Sequence, residues 1–158
     1  MILRPATPAD LPDLVTLARS AAVAPFLSIN AARQLPGGID APGEELLAVE
    51  VDGALAGCAR LVVRNTRSRI SEVRSLMLDP EHRGRGLGTM VLRALTEHAF
   101  AAGVHRVEGE VLGFNTAAVA AFEAAGFTRE GVRRRAYLRD GSWTDSVLLG
   151  RLAEDPSN

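Results

Sequence analysis

Leu76 to Gly103 reads LMLDPEHRGRGLGTMVLRALTEHAFAAG, and its reading decides the fold. An apolar strand end meets Asp79-Pro80, then a loop holding Gly84, Gly86 and Gly88 with Arg83 and Arg85 among them. Helical spacing follows. Leu87, Met90, Val91, Ala94, Leu95, His98 and Ala102 recur at i, i+3, i+4 and i+7, which predicts one apolar face. Gly103 stands where a left-handed C-terminal residue belongs. A strand that runs through glycines into a helix start makes an anion site. Residues without Cβ let the backbone approach a ligand, free N–H groups point at it, and the helix dipole favours negative charge.

The spacing narrows the choice of anion. A nucleoside-triphosphate P-loop needs Gly-Lys-Ser/Thr at its end, whereas Gly88 is followed by Thr89 and the chain has no lysine. A dinucleotide fingerprint needs G-x-G-x-x-G, and here the third glycine comes one place early. Arg83-Gly84-Arg85-Gly86-Leu87-Gly88 resembles the Q/R-x-x-G-x-G/A pyrophosphate loop of the GNAT superfamily of acetyl-CoA-dependent N-acetyltransferases. A second motif agrees with the first. Asn115, Ala118, Phe122, Glu123, Gly126 and Phe127 fit N-x-x-A-x-x-x-Y-E-x-x-G-F, the helix that follows the fifth strand in that superfamily. The ending from Tyr137 to Asp145 is similar to the subgroup of ribosomal-protein N-terminal and phosphinothricin-type acetyltransferases.

Outward from this centre, the 158 residues suffice for one domain, expected to span 1–158. No apolar run approaches the ~18 residues of a membrane span, and the N-terminus lacks a signal-peptide pattern. A single cysteine, Cys58, sits in an apolar strand, which predicts a buried thiol and fits a reducing, cytoplasmic setting. A net charge of −1 argues against a general nucleic-acid binder. No metal-ligand pattern stands out.

The predicted elements run in the order β-α-(α)-β-β-β-α-β-α-β-β. The first strand is Met1–Arg4; Thr7-Pro8-Ala9-Asp10 starts a helix that buries Leu11, Leu14, Val15, Leu17 and Ala18. Residues 21–45 are broken by prolines and glycines, with room for a short helix over 28–35. Asp52-Gly53 joins strands 46–51 and 54–63 as a hairpin. Strand 69–78 then places Glu72, Arg74, Leu76 and Leu78 on one face and Val73, Ser75 and Met77 on the other, provided no bulge intervenes. After strand 104–112 and helix 116–125, the chain ends in a hairpin, 127–138 and 143–152, turning at Asp140-Gly141. Residues 154–158 are expected to fray.

The resemblance implies an α/β (α+β) fold: a mixed, mostly antiparallel sheet of about seven strands, flanked by helices and splayed where acetyl-CoA, the co-substrate, lies. It implies that backbone groups at Leu76, Met77 and Leu78 pair with the pantetheine amides. N–H groups of Arg83, Gly84, Arg85, Gly86, Leu87, Gly88 and Thr89 would hold the pyrophosphate. Asn115 and Phe122 would face the pantetheine, and segment 21–45 would cover the acceptor. The acceptor implied is a small-molecule or peptide amine, and a homodimer is compatible with the family.

The chemistry follows from the amine. At pH 7 an α-amine (pKa ~8) costs about 1.4 kcal/mol to deprotonate and an alkylamine (pKa ~10.4) about 4.6. Glu72, eleven residues before Arg83, matches the general-base glutamate of histone-acetylating members; a strand glutamate paired with Arg74 or Arg60 is the other reading. The family's usual acid is the helix-motif tyrosine, and Phe122 replaces it here. Tyr137, the only tyrosine, is then a candidate acid or a half-buried strand residue. The arginines at 129, 133, 134, 135 and 139 read as a solvated strand face or as a holder of the CoA 3′-phosphate or an acidic acceptor. Phe122 keeps a non-catalytic acyl-CoA-binding module in play, and the glycine loop keeps a nucleotide-binding protein.

Overall fold

The computed structural model describes residues 1–27 and 30–156. In chain order the elements are β1 (Ile2–Pro5), α1 (Leu11–Arg19), α2 (Ala31–Gln34), β2 (Glu44–Val51), β3 (Ala54–Asn65), β4 (Ile70–Leu78), α3 (Leu87–Ala101), β5 (Arg106–Leu112), α4 (Thr116–Ala124), β6 (Thr128–Arg139) and β7 (Ser142–Leu152). This is the expected order, with boundaries within about two residues of those read from the sequence. The short helix differs more. Its expected start at Ser28 lies outside the described residues, the α-helix begins at Ala31, and a 3₁₀ turn over Leu35–Gly38 follows, where Pro36 removes a donor.

The strands form one sheet in the order β1-β2-β3-β4-β5-β7-β6, antiparallel throughout except for the β4–β5 pair. A parallel pair needs a crossover, and α3 supplies it. The sheet separates two apolar layers. Helices α3 and α4 pack Val91, Leu92, Leu95 and Phe122 against Leu61, Val107 and Leu149. On the other side Leu14, Ala18 and Leu35 meet Leu46, Cys58 and Met77. The Cys58 thiol is buried and, chiefly for that reason, pushed up to about 12. Its structural role is as expected.

Two sequence expectations about faces are corrected. Arg60 pairs with Arg74 and Cys58 with Met77, so three steps on β4 match two on β3. The extra residue is a bulge at Ser75, whose φ is 50°. Alternation therefore resets: Val73, Leu76 and Leu78 all pack with the α3–α4 layer, while Met77 packs with the α1–α2 layer. The grouping of Glu72 and Arg74 with Leu76 and Leu78 does not hold. Helix α3 is also rotated from its predicted stripe. Leu87, Val91, Leu92, Leu95, Thr96 and Ala99 are buried, while Met90 is 49% exposed and His98 bonds Glu45 at the surface. Buried Thr96 is accommodated because its Oγ1 donates to the Leu92 carbonyl at 2.6 Å.

The entry to α1 is tied to the sheet edge. Thr7 N–H and Oγ1 donate to Asp10 at 2.7 and 2.8 Å, and Arg4 donates two hydrogen bonds to the same carboxylate and one to Glu50. The Arg4 guanidinium holds the Asp10 carboxyl well below the usual carboxylate range, against the opposing effect of burial. Asp155 closes the far end by accepting from the Leu152 N–H. The last two residues, also expected to fray, lie outside the described residues.

Candidate active site

Pairing between β4 and β5 runs from Ile70–Arg106 to Val73–Gly109 and stops. Beyond it, β4 remains paired with β3 on one side only, so its other edge from Arg74 to Leu78 presents unpaired main-chain groups. The Phe122 ring sits at this fork. A Cβ on Gly109 would lie 2.3 Å from its Cε1, so glycine is what admits the ring. Phe127 fixes it from behind, edge-on, with centroids 4.9 Å apart. The strands part around a cavity of about 620 Å³.

At one wall of that cavity lies the glycine loop. Gly84 and Gly86 have φ of 75° and 73°, and Gly86 is the residue that starts α3. That conformation is strained for residues with side chains. A Cβ on either would meet nothing within 4 Å and would project into open space, whereas one on Gly88 would touch Ala121 and Leu78. Leu87, Gly88 and Thr89 are the first residues of α3, so their N–H groups have no carbonyl a turn earlier to bond. The cradle fits a phosphate-bearing ligand on its own geometry. On the facing wall, Asn115 caps α4 by accepting from the Ala118 N–H at 3.2 Å.

The structure brings nearly all sequence-singled residues to this one cavity. Leu76, Met77, Leu78, Arg83, Gly84 and Gly86 line it, as do Leu87, Gly88, Thr89, Asn115 and Phe122, together with Glu72 and Tyr137. Arg85 is the exception: it is exposed and does not line the cavity. Arg83 lines it, but its guanidinium donates to the carbonyls of Leu78 (3.2 Å) and Ala22 (3.0 Å), tying the loop to the chain after α1.

Glu72 is mostly buried and takes two guanidinium groups on one carboxylate oxygen, Arg64 and Arg74, each at 3.0 Å. Arg60, the other partner considered, is instead bonded to Glu44 and Gln34. Glu110 on β5 also lines the cavity, accepting from Arg133 at 2.8 Å and from the Ser146 hydroxyl. Arg133 thus ties the hairpin to β5; Arg129, Arg134 and Arg135 are exposed on the strand, and Arg139 is half-buried.

Glu110 and Ser75 line the cavity without having been singled out for it, and Val23, Phe26 and Leu27, from the segment 21–45 expected to cover the acceptor, do so without having been named individually. Sequence reasoning also missed Phe114, whose ring meets Phe26 with centroids 6.0 Å apart. Ser75 was hidden by the bulge. Phe26 and Phe114 lie in irregular segments where no periodicity marks a face, though two phenylalanines among polar and small residues were a usable signal. Among the described residues no group of three or more His, Cys, Asp or Glu is placed to hold a metal, and no helix is long and apolar enough to cross a membrane.

Residues 11–127 match the acetyltransferase (GNAT) family. The chain belongs to this family. It is similar to N-alpha-acetyltransferase RimI of Mycobacterium tuberculosis, 38% identical over 86 residues that make up 54% of this chain and 51% of that protein. It is also similar to streptothricin acetyltransferase of Streptomyces lavendulae, 30% identical over 111 residues, 70% of this chain and 58% of that one. The chain spans about half the length of the curated relatives it matches. Spermidine N-acetyltransferase from Vibrio cholerae, solved with CoA and spermine, shares the GNAT fold with a TM-score of 0.85 at 21% identity, over 98% of this chain and 96% of that one. Ribosomal-protein-alanine N-acetyltransferase from Brucella melitensis does so with a TM-score of 0.78 at 23% identity, over 96% of this chain and 99% of that one.

Proposed function

We propose that this GNAT chain transfers the acetyl group of acetyl-CoA to a primary amine, of a small molecule or of a peptide or protein N-terminus, by direct attack. One observation carries the reading: a single cavity runs between the unpaired edge of β4 and the glycine-lined start of α3. A phosphate-bearing carrier with an amide arm needs both, N–H groups for the anion and a strand edge for the amides. Bound acetyl-CoA would supply the acyl thioester. The N–H groups from Gly84 to Thr89 would hold the pyrophosphate, and the main chain of Leu76 to Leu78 would align the arm. Arg83, also expected to contribute its N–H, donates it to the Pro80 carbonyl at 3.2 Å. Asn115 and Phe122 close the wall on the α4 side.

The attacking amine must lose a proton. Glu72 is the proposed acceptor, directly or through water, and its two arginines fix its position while competing for its lone pairs. Tyr137 is the proposed donor to the departing sulfur. A thiol is acidic enough (Cys pKa ~8.5) that its thiolate leaves tolerably without a strong acid, which is consistent with Phe122 at the family's tyrosine position.

Calorimetry with CoA, NAD and ATP tests the assignment of the cavity. Binding of CoA with neither of the others is expected; tight binding of ATP or NAD with none of CoA would overturn it. The buried, hydroxyl-free ring of Phe122 favours one rival, a non-catalytic acyl-CoA-binding module. Acetyl-CoA bound but never turned over against an amine panel would establish that rival.

A further inference from the structure

Part of the cavity wall belongs neither to the glycine loop nor to α3 and α4. It is made by Val23, Phe26 and Leu27 from the chain between α1 and α2, and by Glu72, Arg74, Glu110 and Tyr137 from the strands. If the loop and the β4 edge take the acetyl donor, this wall faces the acceptor. Its chemistry is then a statement about which amines fit, and it rests on the acetyl-transfer reading above.

Charge comes first. Two carboxylates (Glu72, Glu110) and one guanidinium group (Arg74) line this wall, and the guanidinium groups of Arg64 and Arg133, bonded to those carboxylates, offset the remaining negative charge. Neither carboxylate is available unshared. Glu72 is held by Arg64 and Arg74, and Glu110 by Arg133 and Ser146. A polyamine brings several ammonium charges. Both carboxylates are largely buried and already neutralised by these guanidinium groups, so an added ammonium exchanges an existing ion pair for a new one and gains little. A single amine, which must in any case be neutral to attack, needs no such exchange.

Apolar surface comes next. Phe26 and Phe114 are 42% and 49% exposed and meet each other across a tilted 6.0 Å contact, although they come from opposite halves of the chain. Phe26, with Val23 and Leu27, lines the cavity and gives this side an aromatic and aliphatic lip, while Phe114 supports the Phe26 ring without lining the cavity itself. One polar atom stands out beneath the lip. Ser75 Oγ is buried in the wall and has no hydrogen-bond partner among the described residues. An unmet buried hydroxyl is destabilising, and a ligand's polar group would remove that penalty.

We infer that the acceptor is a monoamine with an apolar group beside the amine, seated against Phe26, whose ring Phe114 supports, and that polyamines are rejected. The spermine-bound structural neighbour therefore shares the fold without sharing the acceptor class.

The test compares leucinamide, phenylalaninamide, glycinamide and spermidine as acceptors, with calorimetry of CoA in parallel. The two apolar amides are expected to exceed glycinamide and spermidine in kcat/KM by about tenfold or more, the scale set by apolar pockets. Phe26→Ala and Phe114→Ala should each narrow the gap between leucinamide and glycinamide, through KM rather than kcat. Both side chains are substantially exposed, so truncation leaves the core intact. Ser75→Ala should raise KM for the preferred amide. A chain that binds CoA but prefers spermidine, or treats glycinamide and leucinamide alike, overturns the acceptor class alone. A chain that binds no CoA overturns the acetyl-transfer reading and the acceptor class with it.

Discussion

Two walls of the same cavity are made of different material. From Arg83 to Thr89 the wall is main chain: two left-handed glycines and the first amides of a helix, all supplied by one short run of sequence. Opposite, it is side chains, and each is held by other side chains. Glu72 depends on Arg64 and Arg74, Glu110 on Arg133, and Phe26 on Phe114. A backbone-built site tolerates few substitutions and takes one ligand chemistry. A side-chain-built site is retuned one residue at a time, so donor and acceptor specificity separate onto the two walls.

Damage to the first wall should be the most severe. Gly86→Val forces a branched residue to φ 73° and fills the space left open at the loop. With 1–3 kcal/mol of strain added to the blocked space, acetyl-CoA binding should fall by at least about 10²-fold, while circular dichroism reports a folded chain. Gly88→Glu should act similarly, since its carboxylate would repel the phosphates. Parent-like affinity in either variant would remove the loop from the binding site.

On the second wall, Glu72→Gln should leave acetyl-CoA binding nearly unchanged. It should lower kcat/KM near neutral pH by about 10²-fold, the low end for a lost base because two arginines already share the carboxylate. Activity should recover as pH rises and the amine deprotonates unaided. Superimposable pH profiles for the two proteins would take Glu72 out of proton transfer.

The support beneath the second wall is weaker in effect but measurable. Asp10→Ala removes the Arg4 pair and the Thr7 bonds at the entry to α1, which should cost about 2 kcal/mol in urea unfolding at pH 7. The Asp10 carboxyl titrates lower in the folded than in the unfolded chain, so its contribution is present above about pH 4 and disappears as the pH falls further. The difference between parent and variant should therefore shrink in acid. A constant difference would mean that Asp10 acts through packing.

The smallest effect is expected where the walls meet. Phe122→Tyr keeps the ring on Gly109 and against Phe127, and activity should hold or rise by less than about tenfold. Acetyl-CoA binding without turnover in that variant would show that the ring edge does not face the reacting sulfur.

The contrast between the walls also explains what could be read in advance. Strand and helix limits followed from alternation, Asp-Gly turns and caps, because those signals are local. The glycine loop was legible for the same reason. The bulge at Ser75 was not, since nothing in RSLML marks which residue loses its partner, and one extra residue exchanged the faces of everything after it. The α3 stripe was misread by one position because Thr96 looks polar in sequence but bonds its own helix and can be buried. Glu72, proposed as a base, lines the cavity, yet its partner Arg64 lies across a turn whose register the sequence does not specify. Phe26 and Phe114 meet only after the whole sheet has formed.

The most direct measurement is amine-dependent release of free thiol from acetyl-CoA, followed together with recovery of the acetylated amine. Thiol and acetyl amide should appear one for one, with the rate rising with amine concentration and lost in Gly86→Val. Acetyl-CoA bound by the parent chain with no thiol released above hydrolysis, whichever amine is supplied, would contradict it.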